Sequence, residues 1–272
     1  MPRDFELGCC GVCAAGFKSA LPAALAFALL SIAHTSAVAD DDPMQPKYGW
    51  REVWGGADAT RDVWLLYTGV TLAPLSKDIY SDGLRLRVTS GYGQYEFDER
   101  RLRCVSGPGI SCFSRLKVDV AYTDALIGYH MRLGELTAKA FAGASVISHN
   151  FGRQVSDNAV QGIAYGATGA LEFWLNLGSN GWSSLDLQYS TAHGTASGRW
   201  RAGWRVQPTL SIGPEVRYDR NDEGDAGRVG AFARYEWSGG EVSVAAGYAS
   251  TIVDVNGDDL QPYVTINLLS QF

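Results

Sequence analysis

The chain predicts an all-β fold: an antiparallel up-and-down transmembrane β-barrel of about 12 strands, of the outer-membrane type. Three observations predict it. The last ten residues, YVTINLLSQF, place Val264, Ile266, Leu268 and Phe272 on one face at every second position, a series broken only by Ser270, with Asn267 and Gln271 on the opposite face. This is the period of a strand with one apolar face, and a closing strand of a barrel is expected to end this way. Beyond the first forty residues no stretch approaches twenty uninterrupted apolar residues. The chain divides instead into segments of about ten residues or more, rich in Val, Tyr, Trp, Thr and Ala and separated by turn residues. Finally, the connections between these segments alternate between long and short, as in barrels with loops at one rim and tight turns at the other.

The N-terminus reads as an export signal over residues 1–39. Arg3 and Lys18 supply positive charge, Leu21–Ala33 is a short apolar stretch, and Ala37-Val38-Ala39 is a small-residue cleavage site before Asp40. The apolar run is too short and too rich in Ala to be a good spanning helix. Residues 40–47 are polar and contain proline, and read as a periplasmic lead-in to a barrel domain over 48–272. Removing 39 of 272 residues takes away two bases and two acids, so the net charge stays at −6. A mildly acidic chain argues against nucleic acid as a partner. Cys104 and Cys112 remain, and an even cysteine count in an exported chain favours one disulfide around Gly107, Pro108 and Gly109.

The strands are expected at 48–55, 62–73, 84–98, 115–131, 136–148, 160–177, 182–192, 199–207, 210–218, 227–237, 241–251 and 260–272. Long polar connections are expected at 99–114, 149–159, 193–198, 219–226 and 252–259. Short turns are expected at 132–135, 178–181, 208–209 and 238–240. The connection 74–83 lies on the short-turn side and is longer than the pattern wants. An even strand number leaves both termini at the same rim, the periplasmic one.

Alternation within the strands assigns their faces. Trp200, Ala202, Trp204 and Val206 alternate with Arg199, Arg201 and Arg205. Leu185, Leu187 and Tyr189 alternate with Ser184, Asp186 and Gln188, and Leu210, Ile212, Val216 and Tyr218 with Ser211, Glu215 and Arg217. A charge facing lipid at mid-bilayer costs about 2–4 kcal/mol, so the charged faces turn to the lumen. Pro214 falls on the apolar face, where it removes a ladder donor, and a bulge is expected there. Trp174, Trp182 and Trp237 stand beside tight turns, as an interfacial girdle requires. The alternative for these aromatics is the core of a soluble β-sandwich.

Arg85, Arg87, Lys139, Glu172, Asp186, Arg201, Arg205, Glu215, Arg217, Arg234 and Glu236 are all expected to point inward, in a lumen filled rather than open. Two readings follow. One is a structural lattice of ion pairs; the other is a path or socket for an acidic or hydroxyl-rich polymer, with Arg201, Arg205, Glu215, Arg217, Arg234 and Glu236 as candidate contacts. Signs of catalysis are sparse. Ser148-His149 and the hydroxyls around His193 bring nucleophile types near a base, without a G-x-S-x-G elbow. No Cys/His metal spacing appears, and no cofactor is implied. The acidic stretches 219–225 (DRNDEGD) and 254–259 (DVNGDD) carry hard oxygen ligands of the calcium kind but not the EF-hand order, and solvated loops are the plainer reading.

Several stretches resemble one family. GGADATRD (Gly55–Asp62), DALIGYH (Asp124–His130), QGIAYGATGALEFWLN (Gln161–Asn176), SLDLQYSTA (Ser184–Ala192), the run from Gly213 to Trp237 and PYVTINLLSQF (Pro262–Phe272) resemble, in order and spacing, the cellulose biosynthesis protein BcsS family. The resemblance implies an exported bacterial barrel that is an accessory of cellulose or other exopolysaccharide production. It carries no catalytic residues. Its expected partners are outer-membrane lipid, a glucan polymer and the cellulose-secretion machinery. The alternatives are an outer-membrane lipid-A-modifying esterase and a structural or general porin-like barrel.

Overall fold

The computed structural model describes residues 49–101, 112–152, 158–250 and 260–272. The expected signal, the lead-in and the Cys104–Cys112 pairing lie outside the described residues. So does the acidic stretch 254–259.

The described residues form twelve strands: β1 (Arg51–Thr60), β2 (Val63–Leu72), β3 (Gly83–Arg101), β4 (Cys112–Leu133), β5 (Leu136–Asn150), β6 (Gly162–Leu177), β7 (Gly181–Ser190), β8 (Ala196–Gln207), β9 (Leu210–Asn221), β10 (Gly224–Trp237), β11 (Gly240–Ala249) and β12 (Gln261–Gln271). Each pairs antiparallel with its sequence neighbours, and β1 pairs with β12 to close the barrel. Closure leaves no unpaired edge, which a lipid environment requires because it offers no water to unpaired N–H and C=O groups. At the seam Glu52 faces Gln271 and Thr60 faces Tyr263. The seam is extended by Arg51 N–H donating to the Phe272 carbonyl at 3.3 Å and Phe272 N–H donating to that of Arg51 at 3.1 Å. The Arg51 guanidinium lies 4.2 Å from the Phe272 ring centroid. The terminal aromatic is thus covered by a cation at the seam.

Both ends of the barrel chain lie at one rim, the turn rim, with the connections at 73–82, 134–135, 178–180, 208–209 and 238–239. The opposite rim, the loop rim, carries the connections at 61–62, 191–195 and 222–223. Two expectations change here. The first strand runs past Gly55 to Thr60 and turns at Arg61–Asp62, because the GGADAT segment, though it lacks large apolar side chains, still pairs on both sides. The expected acidic loop 219–226 is mostly strand, with a turn at Asp222–Glu223 in which Asn221 Oδ1 accepts from the N–H groups of Glu223 and Gly224. A single Asn side chain that satisfies two turn donors lets a polar stretch form a hairpin. Among the described residues there is no group of three or more His, Cys, Asp or Glu able to hold a metal ion.

The outer face is the one the alternation assigns. Trp200, Trp204, Val206, Leu187, Tyr189, Ile212, Val216, Tyr218, Val264, Ile266 and Leu268 are all exposed on it. Its upper limit is marked by an edge-to-face pair, Trp64 and Tyr92, with centroids 5.7 Å apart. Beyond this pair polar contacts begin: Gln94 donates to Asp119 at 3.0 Å and Lys117 reaches Glu96 at 4.0 Å. Exposed Tyr129, Trp204, Tyr235 and Trp237 stand near the turn rim. From Tyr129 to Ala121, the partner of Tyr92, β4 climbs eight residues. At about 3.3 Å per residue and a tilt near 40° this is roughly 20 Å of height, close to the apolar band of a spanning barrel.

Trp174 and Trp182 do not join that girdle. Trp182 is 1% exposed and its ring stacks on Trp174 inside the barrel, at 4.2 Å and 18°. Parity explains this: Trp182 shares a face with Ser184 and Asp186, and Trp174 shares one with Glu172. The lumen has space for the ring because residue 203 is glycine. A Cβ at Gly203 would fall within the Trp182 indole. Pro214 is also corrected. It is exposed within β9, but the β8–β9 irregularity falls at Arg205–Gln207, while the pairing passes from Arg201–Glu215 directly to Trp204–Ile212.

Candidate functional site

The lumen carries two tiers of charge. In the loop-side tier Asp58 of β1 is 3% exposed and accepts from three partners. Arg217 Nη1 of β9 donates at 2.8 Å, Thr265 Oγ1 of β12 at 3.2 Å, and Arg228 of β10 completes the set. Asp219 pairs with Arg217 at 2.9 Å and with Arg228 at 3.8 Å. The Tyr263 hydroxyl donates to Glu215 at 3.5 Å. Strands β1, β9, β10 and β12 are therefore tied across the interior by side chains as well as by the ladder.

In the turn-side tier Arg87 of β3 bonds Glu172 of β6, and Lys139 of β5 stands 3.6 Å from the same carboxylate. Arg199 pairs with Asp186 at 3.0 Å, and Arg234 with Glu236 at 3.0 Å and with Glu241. This tier surrounds a cavity of about 880 Å³. Its lining runs from Tyr80 and Gln271 at the turn rim to Thr89, Leu126 and Gln188, and includes none of Asp58, Arg217, Arg228 or Asp219.

The long connection on the turn side, 73–82, lies over this cavity. Ala73 and Ile79 are buried. Arg85, 1% exposed, donates to the Ile79 carbonyl at 2.7 Å and contacts His130 Nδ1 at 3.0 Å. Ile79 N–H donates to Gly49 O at 2.9 Å, and Asp82 accepts from Arg132 N–H at 2.8 Å. Tyr80, Ser81 and Asp82 contribute to the cavity wall. The segment is a strap seated at the turn-side mouth, and that explains its length: a chain that must reach inward needs more residues than a hairpin.

All six candidate contacts face the interior, but they do not form one site. Arg201, Arg205, Arg234 and Glu236 line the turn-side cavity, whereas Arg217 belongs to the loop-side lattice and Glu215 lies beside Tyr263. Residues that enlarge the site are Ser184, Arg199 and Glu241 on its wall and the Trp174–Trp182 stack. The parity of Ser184, Asp186 and Gln188 already implies the inward turn of Trp182. What the strand pattern could not supply is the distance between strands far apart in the order.

The hydroxyls near histidine are otherwise engaged. Ser148 alternates with inward-facing His149 and so lies on the other sheet face. Thr195 Oγ1 donates to Ala192 O at 2.9 Å, and Thr191 Oγ1 accepts from Ala167 N–H at 3.0 Å. His149 stands edge-on to His193 at 5.2 Å and contacts the Tyr95 hydroxyl at 3.0 Å. Among the described residues, the hydroxyls of Ser148, Thr191 and Thr195 make no hydrogen bond to either imidazole.

A family model described as cellulose biosynthesis protein BcsS matches residues 53–272. No curated protein sequence matches the chain. Among solved structures it is similar to a deletion mutant of TodX, a monoaromatic hydrocarbon channel, at 10% identity over 82% of this chain and 91% of that one, TM-score 0.50. It is also similar to KdgM porin, at 10% identity over 81% and 99%, TM-score 0.47. A third is an outer membrane channel from Pseudomonas putida F1, at 11% identity over 86% and 100%, TM-score 0.45. At such identities these are likenesses of fold.

Proposed function

The chain belongs to the cellulose biosynthesis protein BcsS family, and on that premise we propose that it is a non-catalytic outer-membrane accessory of cellulose production. It acts at the surface end of the pathway, where it anchors, guides or passes the glucan or holds periplasmic parts of the secretion machinery. The observation that carries the reading is the walled, polar and aromatic cavity inside a barrel whose outer face is an apolar band with aromatic limits. Arginine, serine and carboxylate groups on such a wall suit sugar hydroxyls, and half-buried indole suits a sugar face. The turn rim is the periplasmic one, so both barrel termini lie in the periplasm, residues 1–39 are the removed signal and 40–47 the lead-in. Tight turns at that rim support this orientation.

The test is cellulase-sensitive, dye-binding polymer at the cell surface, compared between the parent strain and a clean deletion. Loss of the polymer, or its retention in the periplasm, is the expected result. Polymer unchanged in amount, place and texture overturns the proposal. The esterase alternative has no support from the hydroxyl geometry at His149 and His193.

A further inference from the structure

The arginines of the turn-side cavity are not equivalent. Arg87, Arg199 and Arg234 each have a carboxylate partner. Arg201 has none among the described residues, although it is 8% exposed and its Nε has no hydrogen-bond partner. It is held instead by apolar surfaces, with its guanidinium carbon 5.8 Å from the Trp182 ring centroid and 5.6 Å from that of Phe232. Its cross-strand neighbour Ser184 is 5% exposed, and the Ser184 hydroxyl is also unpartnered. Arg234 Nη1, on the same wall, is a third donor without an acceptor. Arg205, on the same face four residues on, donates to Asn176 Oδ1 at 3.4 Å and has no ion pair among the described residues.

A buried guanidinium is ordinarily paired, because removing a cation from water costs several kcal/mol. Arg87, Arg199, Arg217, Arg228 and Arg234 obey that rule, each with a carboxylate partner. At Arg201 the wall presents three idle donors. Asp186 and Glu241 are committed to Arg199 and Arg234, and Glu215, opposite Arg201 across the β8–β9 ladder, accepts from the Tyr263 hydroxyl and forms no ion pair with Arg201 among the described residues. An acceptor that fits must bring negative charge and at least two oxygens to a forked donor.

We infer that Arg201, Ser184 and Arg234 form a subsite for an oxyanion, a carboxylate or phosphate ester, borne on a sugar. This inference rests on the reading of the lumen as a passage or socket for saccharide, and names the chemical group the wall selects. Neutral sugar residues meet the rest of the cavity; the acidic substituent is read at Arg201.

The test is calorimetric titration of the purified, detergent-folded barrel with glucuronate, glucose 6-phosphate, glucose and cellotetraose at matched ionic strength. Folding is verified by heat-modifiable gel migration. The two acids are expected to bind at least tenfold more tightly than glucose, more weakly as salt is raised, and the tighter acid identifies the group as carboxylate or phosphate. Arg201→Gln is expected to weaken acid binding at least tenfold, Arg201→Lys to weaken it less, and Arg51→Gln at the seam to leave it unchanged. Acid binding unchanged in Arg201→Gln, or equal to that of glucose, overturns the subsite. A barrel that binds cellotetraose but neither acid overturns the subsite and leaves the saccharide reading standing; one that binds none of the four overturns both.

Discussion

Arg217 Nη1 of β9 lies 2.8 Å from Asp58 Oδ2 of β1, joining two strands that three others separate along the closed sheet. The barrel wall resists only through its ladder; ties of this kind brace it across the interior. The lipid side cannot do so, since lipid tails are as apolar as the residues that face them. Cross-lumen polar contacts therefore carry much of what fixes the shape of this barrel.

Asp58→Asn leaves Arg217 and Arg228 as buried cations sharing one acceptor less. The expected loss is about 3 kcal/mol, the usual cost of orphaning a buried charge. It is read as a lower urea midpoint for loss of the folded, fast-migrating gel band. An unchanged midpoint would show that lumen water already screens this lattice.

Gly203 and Trp182 form a matched pair. Gly203→Ala drives a methyl into the indole, and Trp182→Ala removes a large buried ring that costs roughly 3–5 kcal/mol. The double variant is expected to be no less stable than Trp182→Ala alone, because the clash has gone. Strict additivity in this cycle would place the indole elsewhere.

The strap at 73–82 predicts a poorly conducting barrel in planar bilayers. Replacing Lys77–Ser81 by Gly-Ser removes Ile79 and Tyr80 from the mouth, together with the Ile79 and Ser81 carbonyl groups to which Arg85 donates. A several-fold rise in single-channel conductance is the expected outcome. Equal conductance in both proteins would mean that the strap does not limit the passage.

Ala125 is exposed on the outer face at the middle of the apolar band, midway between Ala121 and Tyr129. Ala125→Arg is expected to cost about 2–4 kcal/mol in lipid vesicles and far less in detergent micelles. A like cost in both media would argue that this face does not meet lipid.

Much of this fold was legible because a strand repeats every two residues. That period identified the closing strand, assigned Trp200 and Trp204 outward, and turned Arg199, Arg201 and Arg205 inward. It also carried the answer for Trp174 and Trp182, which proximity to tight turns obscured. Strand ends were less legible: residues 219–226 read as a loop by composition, yet one Asn side chain caps a turn between Asp222 and Glu223.

Which inward charges meet was beyond the pattern altogether. Residue spacing along one strand determines the face of a side chain and nothing about its partner on a strand three or four places away. Closure and tilt decide that Arg217 reaches Asp58, that Arg87 reaches Glu172, and that among the described residues Arg201 is left without an ion pair. The amino-acid sequence by itself determined a spanning barrel with a charged interior, since alternation is a local property. Only the tertiary structure decided which of those charges are spent on one another and which still face the cavity, since pairing depends on distances that the closed sheet alone sets.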